Sequence, residues 1–153
     1  MNLSEVARLL ELRNETLVTI ESCTGGGIAA LCTSIPGSSV WFDGGWVTYS
    51  NEMKMKLGVP RVLIDDHGAV SKQVAEAMAA SGQAESGADW AISVTGVAGP
   101  GGGSVEKPVG LVWFGLASKS AVYSFKRYFR GDRETIRRQT VEFALEQLTL
   151  YLR

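Results

Sequence analysis

The stretch "ETLVTIESCTGGGIAALCTSIPG", Glu15 to Gly37, decides the fold. Its opening "ETLVTIE", with β-branched Val18, Thr19 and Ile20, reads as a short buried strand. "GGIAALCTSI" then suits an apolar helix, closed by Pro36 and Gly37. A strand feeding a helix through a tight turn is the first half of a β-α-β unit. A plain turn needs one glycine and a cap. This one also sets Ser22, Cys23 and three glycines at the strand end.

Upstream, Leu3, Val6, Leu9 and Leu10 keep helical spacing and predict a helix from about Ser4 to Arg13. Downstream, "SSVWFDGGWVTYS" contains a strand expected at Gly45 to Tyr49, and "NEMKMKLGV" a short helix ending at Gly58. Ser71 is a natural N-cap for "KQVAEAMAASGQAE", whose alanines favour helix. "ADWAISVTG" is a further buried strand. "VGLVWFGLAS" and "AVYSFKRYF" form a hairpin turning near Lys119 and Ser120. Asp132 caps a last helix that carries Ile136, Phe143 and Leu148 inward. Early strands alternate with helices while the last two adjoin. That order predicts one three-layer α/β/α sandwich over residues 1–153, with a mixed, mostly parallel sheet in which the hairpin reverses one strand.

Composition narrows the function classes. A chain of 153 residues, 45% hydrophobic and 20% charged, is a globular protein with room for a full core. Its net charge of −1 gives no global reason to bind nucleic acid. No apolar run approaches the ~20 residues of a membrane span, and the N-terminus has no signal-peptide core. Cys23 and Cys32 would fall on opposite faces of a helix, which suits neither a redox pair nor a zinc site. A reduced, cytoplasmic setting is expected, with no metal, no cofactor, and neither nucleic acid nor membrane as partner.

In such folds ligands gather at the carboxyl ends of strands. Three loops leave strands there: "ESCTGGG", "YSNEMK" and "TGVAGPGGGS". The glycines of the first let backbone amides approach an anion or a developing oxyanion at a helix N-terminus, or simply make a turn that Thr24 caps. No phosphate-loop or dinucleotide fingerprint is present. Ser22 or Cys23 could act as nucleophile, with His67 or a buried lysine such as Lys54 as base. Between Gly96 and Pro108 stand five glycines and two prolines, a loop of the kind that serves function more often than not. Six of the fifteen Lys and Arg residues fall between Lys126 and Arg138. Of these, Arg133 follows the helix cap directly and could fork onto a carboxylate or phosphate.

Taken in order, "ESCTGG", "PGSS.WF", "VTYSNE.K", "HGAVS", "TG.AGP.GG", "EKPVG.VWF" and "GDR..IRRQ" make the chain resemble the CinA C-terminal-domain family from about Thr19 to Gln139. The resemblance implies hydrolysis of the carboxamide of nicotinamide mononucleotide, giving nicotinic acid mononucleotide and ammonia. It implies Ser22 as nucleophile and Lys54 as base, with Lys56 the alternative. It also implies catalytic parts for Tyr49, as relay or orienting group, and for Thr95, as oxyanion donor. Thr24, Gly25, Gly26, Gly96, Ala98, Gly99 and Arg133 would hold the substrate. A homo-oligomer is expected, and a non-catalytic nucleotide-binding module is the alternative.

Overall fold

A computed structural model describes residues 2–153. At its centre lies β1 (Leu17–Glu21), five residues that are all buried, as a β-branched run flanked by strands on both sides requires. β2 (Phe42–Val47) and β3 (Trp90–Gly96) pair with it in parallel, one on each side. β4 (Leu111–Ser118) runs antiparallel to β3, and β5 (Val122–Tyr128) antiparallel to β4. The order is therefore β2-β1-β3-β4-β5, with β4 alone reversed. This is the expected mixed, mostly parallel sheet.

Helices cover both faces. α1 (Leu3–Arg13), α2 (Gly27–Cys32) and α6 (Arg133–Leu152) close one apolar layer around Leu10, Ile28, Trp41 and Leu145. α3 (Asn51–Leu57), α4 (Arg61–His67) and α5 (Lys72–Ser86) close the other around Ile20, Ile64, Val74 and Met78. α5 lies so close on the sheet that a Cβ at Gly115 would sit 2.4 Å from the Ala75 carbonyl oxygen. Only glycine fits there.

Three boundaries depart from the sequence reading. β2 begins at Phe42 and ends at Val47, not at Gly45 and Tyr49. Its pairing with β1 starts at Leu17↔Phe42 and slips by one residue to Val18↔Gly44, a bulge that moves the strand forward. Thr48 N–H makes the last rung to the Glu21 carbonyl, and Ser50 then caps α3. α2 stops at Cys32 because the Thr33 and Ser34 hydroxyls fold back onto Ala29 and Leu31 carbonyls. α4 was not expected. It follows Pro60, whose fixed φ suits a helix entry, and buries Ile64.

The chain between β3 and β4 is pinched at its base. Val97 N–H bonds the Leu111 carbonyl at 2.9 Å, and Gly110 N–H bonds the Val97 carbonyl at 2.7 Å. Beyond that neck, 100–106 are exposed.

Candidate active site

β2 and β3 flank β1, and the crossovers that reach them pass over opposite faces of the sheet. The carboxyl end of β1 is therefore the switch point where such sheets open a crevice. A cleft of about 270 Å³ lies there, lined by Ser22, Cys23, Tyr49, Asn51, Lys54, Ala69, Val70, Thr95, Gly96, Ala98 and Arg133. All three strand-end loops contribute.

Ser22 follows β1 directly, its amide held by the Val94 carbonyl at 3.0 Å. Lys54 projects from α3, where the Ser50 hydroxyl caps the Met53 amide and fixes the first turn. The lysine is only 1% exposed, and its Nζ lies 2.9 Å from Ser22 Oγ. The same nitrogen donates to the carbonyls of Thr48 at 2.8 Å and Tyr49 at 2.9 Å. No carboxylate forms an ion pair with it among the described residues. Burial lowers the amine from 10.5 to about 8, with Cys23 pulling weakly the other way. Lys56, two residues on, is exposed.

This triangle of acceptors orients the amine. Carbonyls cannot donate, so a neutral NH₂ gives its two hydrogens to Thr48 and Tyr49. Its lone pair is then left facing the Ser22 hydroxyl. Once the lysine is protonated, the third hydrogen points at the same oxygen.

Cys23 is a poor rival. Burial pushes its thiol up to about 12, and the neighbouring Glu21 adds to the rise. His67 ends α4 and lines a different depression with Lys107, Trp113 and Tyr128. Its carbonyl accepts from Lys107 Nζ.

The other expected residues divide. Tyr49 is 61% exposed. Its carbonyl serves the Ser22–Lys54 pair, while its phenol lies 3.5 Å from Arg133 Nη2. Arg133 also donates to the Gly99 carbonyl at 2.7 Å, so Gly99 positions that guanidinium. Thr95 lines the cleft, but its hydroxyl hydrogen goes to the Ala69 carbonyl at 2.9 Å, which leaves that oxygen an acceptor toward the cleft. Gly96 and Ala98 line the cleft. Thr24, Gly25 and Gly26 do not.

The glycine turn has other obligations. Its helix N-terminus is filled from within, because the buried Glu21 carboxylate accepts from Ile28 N–H at 2.8 Å and Ala29 N–H at 3.0 Å. Thr24 Oγ1 donates to the same carboxylate at 2.5 Å. Gly25 and Gly27 amides turn back onto the Ser22 and Thr24 carbonyls. Neither Thr24 N–H nor Cys23 N–H has another residue as acceptor among the described residues. Glu21 escaped the sequence reading, although an acid just before a glycine-rich helix start is a recognisable signal.

Comparison with known proteins converges on one family. The CinA C-terminal domain matches residues 2–152. The nicotinamide-nucleotide amidohydrolase PncC of Pseudomonas putida is 57% identical over 136 residues, 88% of this chain and 85% of that protein. Its counterpart from Escherichia coli (strain K12) is 47% identical over 151 residues, 97% of this chain and 92% of that protein. Among solved structures, a competence-damaged protein (CinA) superfamily protein from Klebsiella pneumoniae superimposes with a TM-score of 0.95 at 36% identity, covering 98% of this chain and 94% of that one. The competence/damage inducible protein CihA of Agrobacterium tumefaciens gives 0.92 at 42% identity, covering 98% and 94%.

Proposed function

Because this chain belongs to the CinA C-terminal domain family, we propose that it is a nicotinamide-nucleotide amidohydrolase working through Ser22 and Lys54. The substrate is nicotinamide mononucleotide, and the products are nicotinic acid mononucleotide and ammonia. The observation that carries the mechanism is the 2.9 Å contact between a buried, uncompensated lysine and the serine at the carboxyl end of β1.

Neutral Lys54 takes the Ser22 hydroxyl proton as Oγ attacks the carboxamide carbon. The carbonyl oxygen becomes an oxyanion, for which the Cys23 and Thr24 amides are the available donors. Collapse breaks the C–N bond, and the Lys54 ammonium returns its proton to the departing nitrogen as ammonia. The nicotinoyl ester on Ser22 is then attacked by water. Lys54 removes a proton from that water and hands it back to Ser22 as the acid leaves. The lysine ends as it began.

Arg133, which has no carboxylate ion pair among the described residues, holds the phosphate end at the outer rim with the Gly96–Gly99 loop. Tyr49 positions that guanidinium through its phenol and the lysine through its carbonyl. Residues 1–153 act as one domain, assembled as a homo-oligomer in the cytoplasm. No helix among the described residues is long and apolar enough to cross a membrane. The test is ammonia release from nicotinamide mononucleotide by the purified protein. Release that depends on Ser22 supports the reading, and an inert protein that still binds the nucleotide would make it a binding module instead.

A further inference from the structure

We propose that Arg137 is a positioning residue for the hydrolysis: it fixes the backbone that follows the nucleophile so that the Thr24 amide is presented to the oxyanion. The inference rests on the Ser22–Lys54 reading above. Arg137 lies one turn beyond Arg133 on α6, half-buried against the glycine turn. Its Nε donates to the Cys23 carbonyl at 3.1 Å and its Nη2 to the Thr24 carbonyl at 3.1 Å. A Cβ added at Gly25 would touch Nη2 at 3.5 Å, so the guanidinium lies directly on bare backbone.

A planar fork bonded to consecutive carbonyls fixes two successive peptide planes. In a trans peptide the C=O and N–H point opposite ways. With the Cys23 carbonyl drawn to α6, the Thr24 amide of that same peptide points away from it. With the Thr24 carbonyl also drawn to α6, the Gly25 amide turns away and closes on the Ser22 carbonyl at 3.1 Å. Glu21 absorbs the Ile28 and Ala29 amides behind the turn. The turn is thus held from two sides, and the Thr24 amide is left without a protein acceptor among the described residues. No carboxylate forms an ion pair with Arg137 among the described residues, which leaves backbone as its work. Its i+4 relation to Arg133 lets the first turns of α6 hold the first and third loops at once.

The test compares wild type, Arg137→Gln, Arg137→Lys and Arg138→Gln by steady-state ammonia release, with thermal melts of each. Arg137→Gln should lower kcat about 10- to 100-fold, at or below the loss from removing an oxyanion donor outright. KM should move less than about threefold, because the substrate's ground state is untouched. Arg137→Lys, which can reach one carbonyl at a time, should recover part of that loss. The acid limb of the pH profile should stay where it is, since burial sets Lys54. Arg138→Gln, on the exposed side of α6, should match wild type. If Arg137→Gln does not fold, Arg137→Lys decides alone: lowered kcat at constant KM supports the proposal, and wild-type kcat overturns it. A change confined to KM, or a loss of rate explained by lost folded fraction, also overturns it. A wild-type protein that releases no ammonia would instead sink the amidohydrolase reading itself.

Discussion

Replacing Lys54 by Met tests the centre of the mechanism, because it keeps the buried stem and deletes the amine. A lysine at about 8 is roughly 10% neutral at pH 7, whereas one at 10.5 would be roughly 0.03% neutral, so burial multiplies the available base ~300-fold. Removing it should lower kcat at least ~100-fold, the low end for general-base catalysis. In wild type, kcat/KM should rise about tenfold per pH unit up to about 8 and then level.

The same lysine leaves a mark on stability. The folded state holds this proton less tightly than the unfolded chain, so the cost of burying the ammonium is fully present below pH 8. It fades as pH rises through 8 toward 10.5. The gap corresponds to ~3 kcal/mol, or a rise of about 6–12 °C in Tm for a chain of this size. Thermal melts of both proteins from pH 7 to 10.5 isolate the effect, since titrations shared by the two cancel in the difference. Wild type should gain on Lys54→Met across that window. Parallel curves, or an acid limb near 10.5, would refute a buried neutral lysine.

Ser22→Ala should abolish turnover while nucleotide binding, followed by calorimetry, persists. Cys23→Ala should keep most of the activity because its thiol is protonated at neutral pH, and the reverse pattern would assign the nucleophile to sulfur. Glu21→Gln should lose about 2 kcal/mol in chemical denaturation, since a carboxylate accepting two amides and a hydroxyl becomes a neutral amide. An unchanged midpoint would mean that α2 needs no internal anion. Gly115→Ala should cost at least ~1–3 kcal/mol, because its Cβ would overlap the Ala75 carbonyl and Ser93 Oγ, each 2.4 Å away. A neutral outcome would place α5 farther from the sheet.

Much of this was legible in the sequence because period and punctuation coincide there. Ser71 and Asp132 cap α5 and α6 through their own side chains, and the hairpin turns at Lys119 and Ser120 as its residues announce. β2 was misplaced because its bulge depends on a partner strand that local pattern cannot see. α4 is a single short stretch with one buried residue, too little periodicity to stand out. At the site, Ser22, Lys54, Thr95 and Arg133 meet in one cleft; the resemblance favoured Lys54 over Lys56, but the burial that separates the two lysines is visible only in three dimensions. Lysine is ordinarily exposed, and nothing in "NEMKMK" marks which one turns inward. The glycine turn misled in an instructive way. The resemblance implied that Thr24, Gly25 and Gly26 together hold the substrate, yet Glu21 and Arg137 from either side engage the turn, and the Thr24 amide is left without a protein acceptor among the described residues. Such claims on a loop come from residues distant in sequence or from the strand before it.

The neck that closes the β3–β4 connection separates two kinds of change open to this chain. In a purely parallel sheet the loop after β3 would have to lead into a helix, and its length would be tied to that helix's place. Here β4 returns at once, and the Val97, Gly110 and Leu111 bonds seal the sheet before the glycines begin. Residues can therefore be inserted or lost beyond the neck without shifting any strand register, and doubling such a loop costs only ~0.6 kcal/mol of closure entropy. The exposed loop can drift through insertions and deletions, while the serine and lysine, fixed to β1 and α3, stay in register.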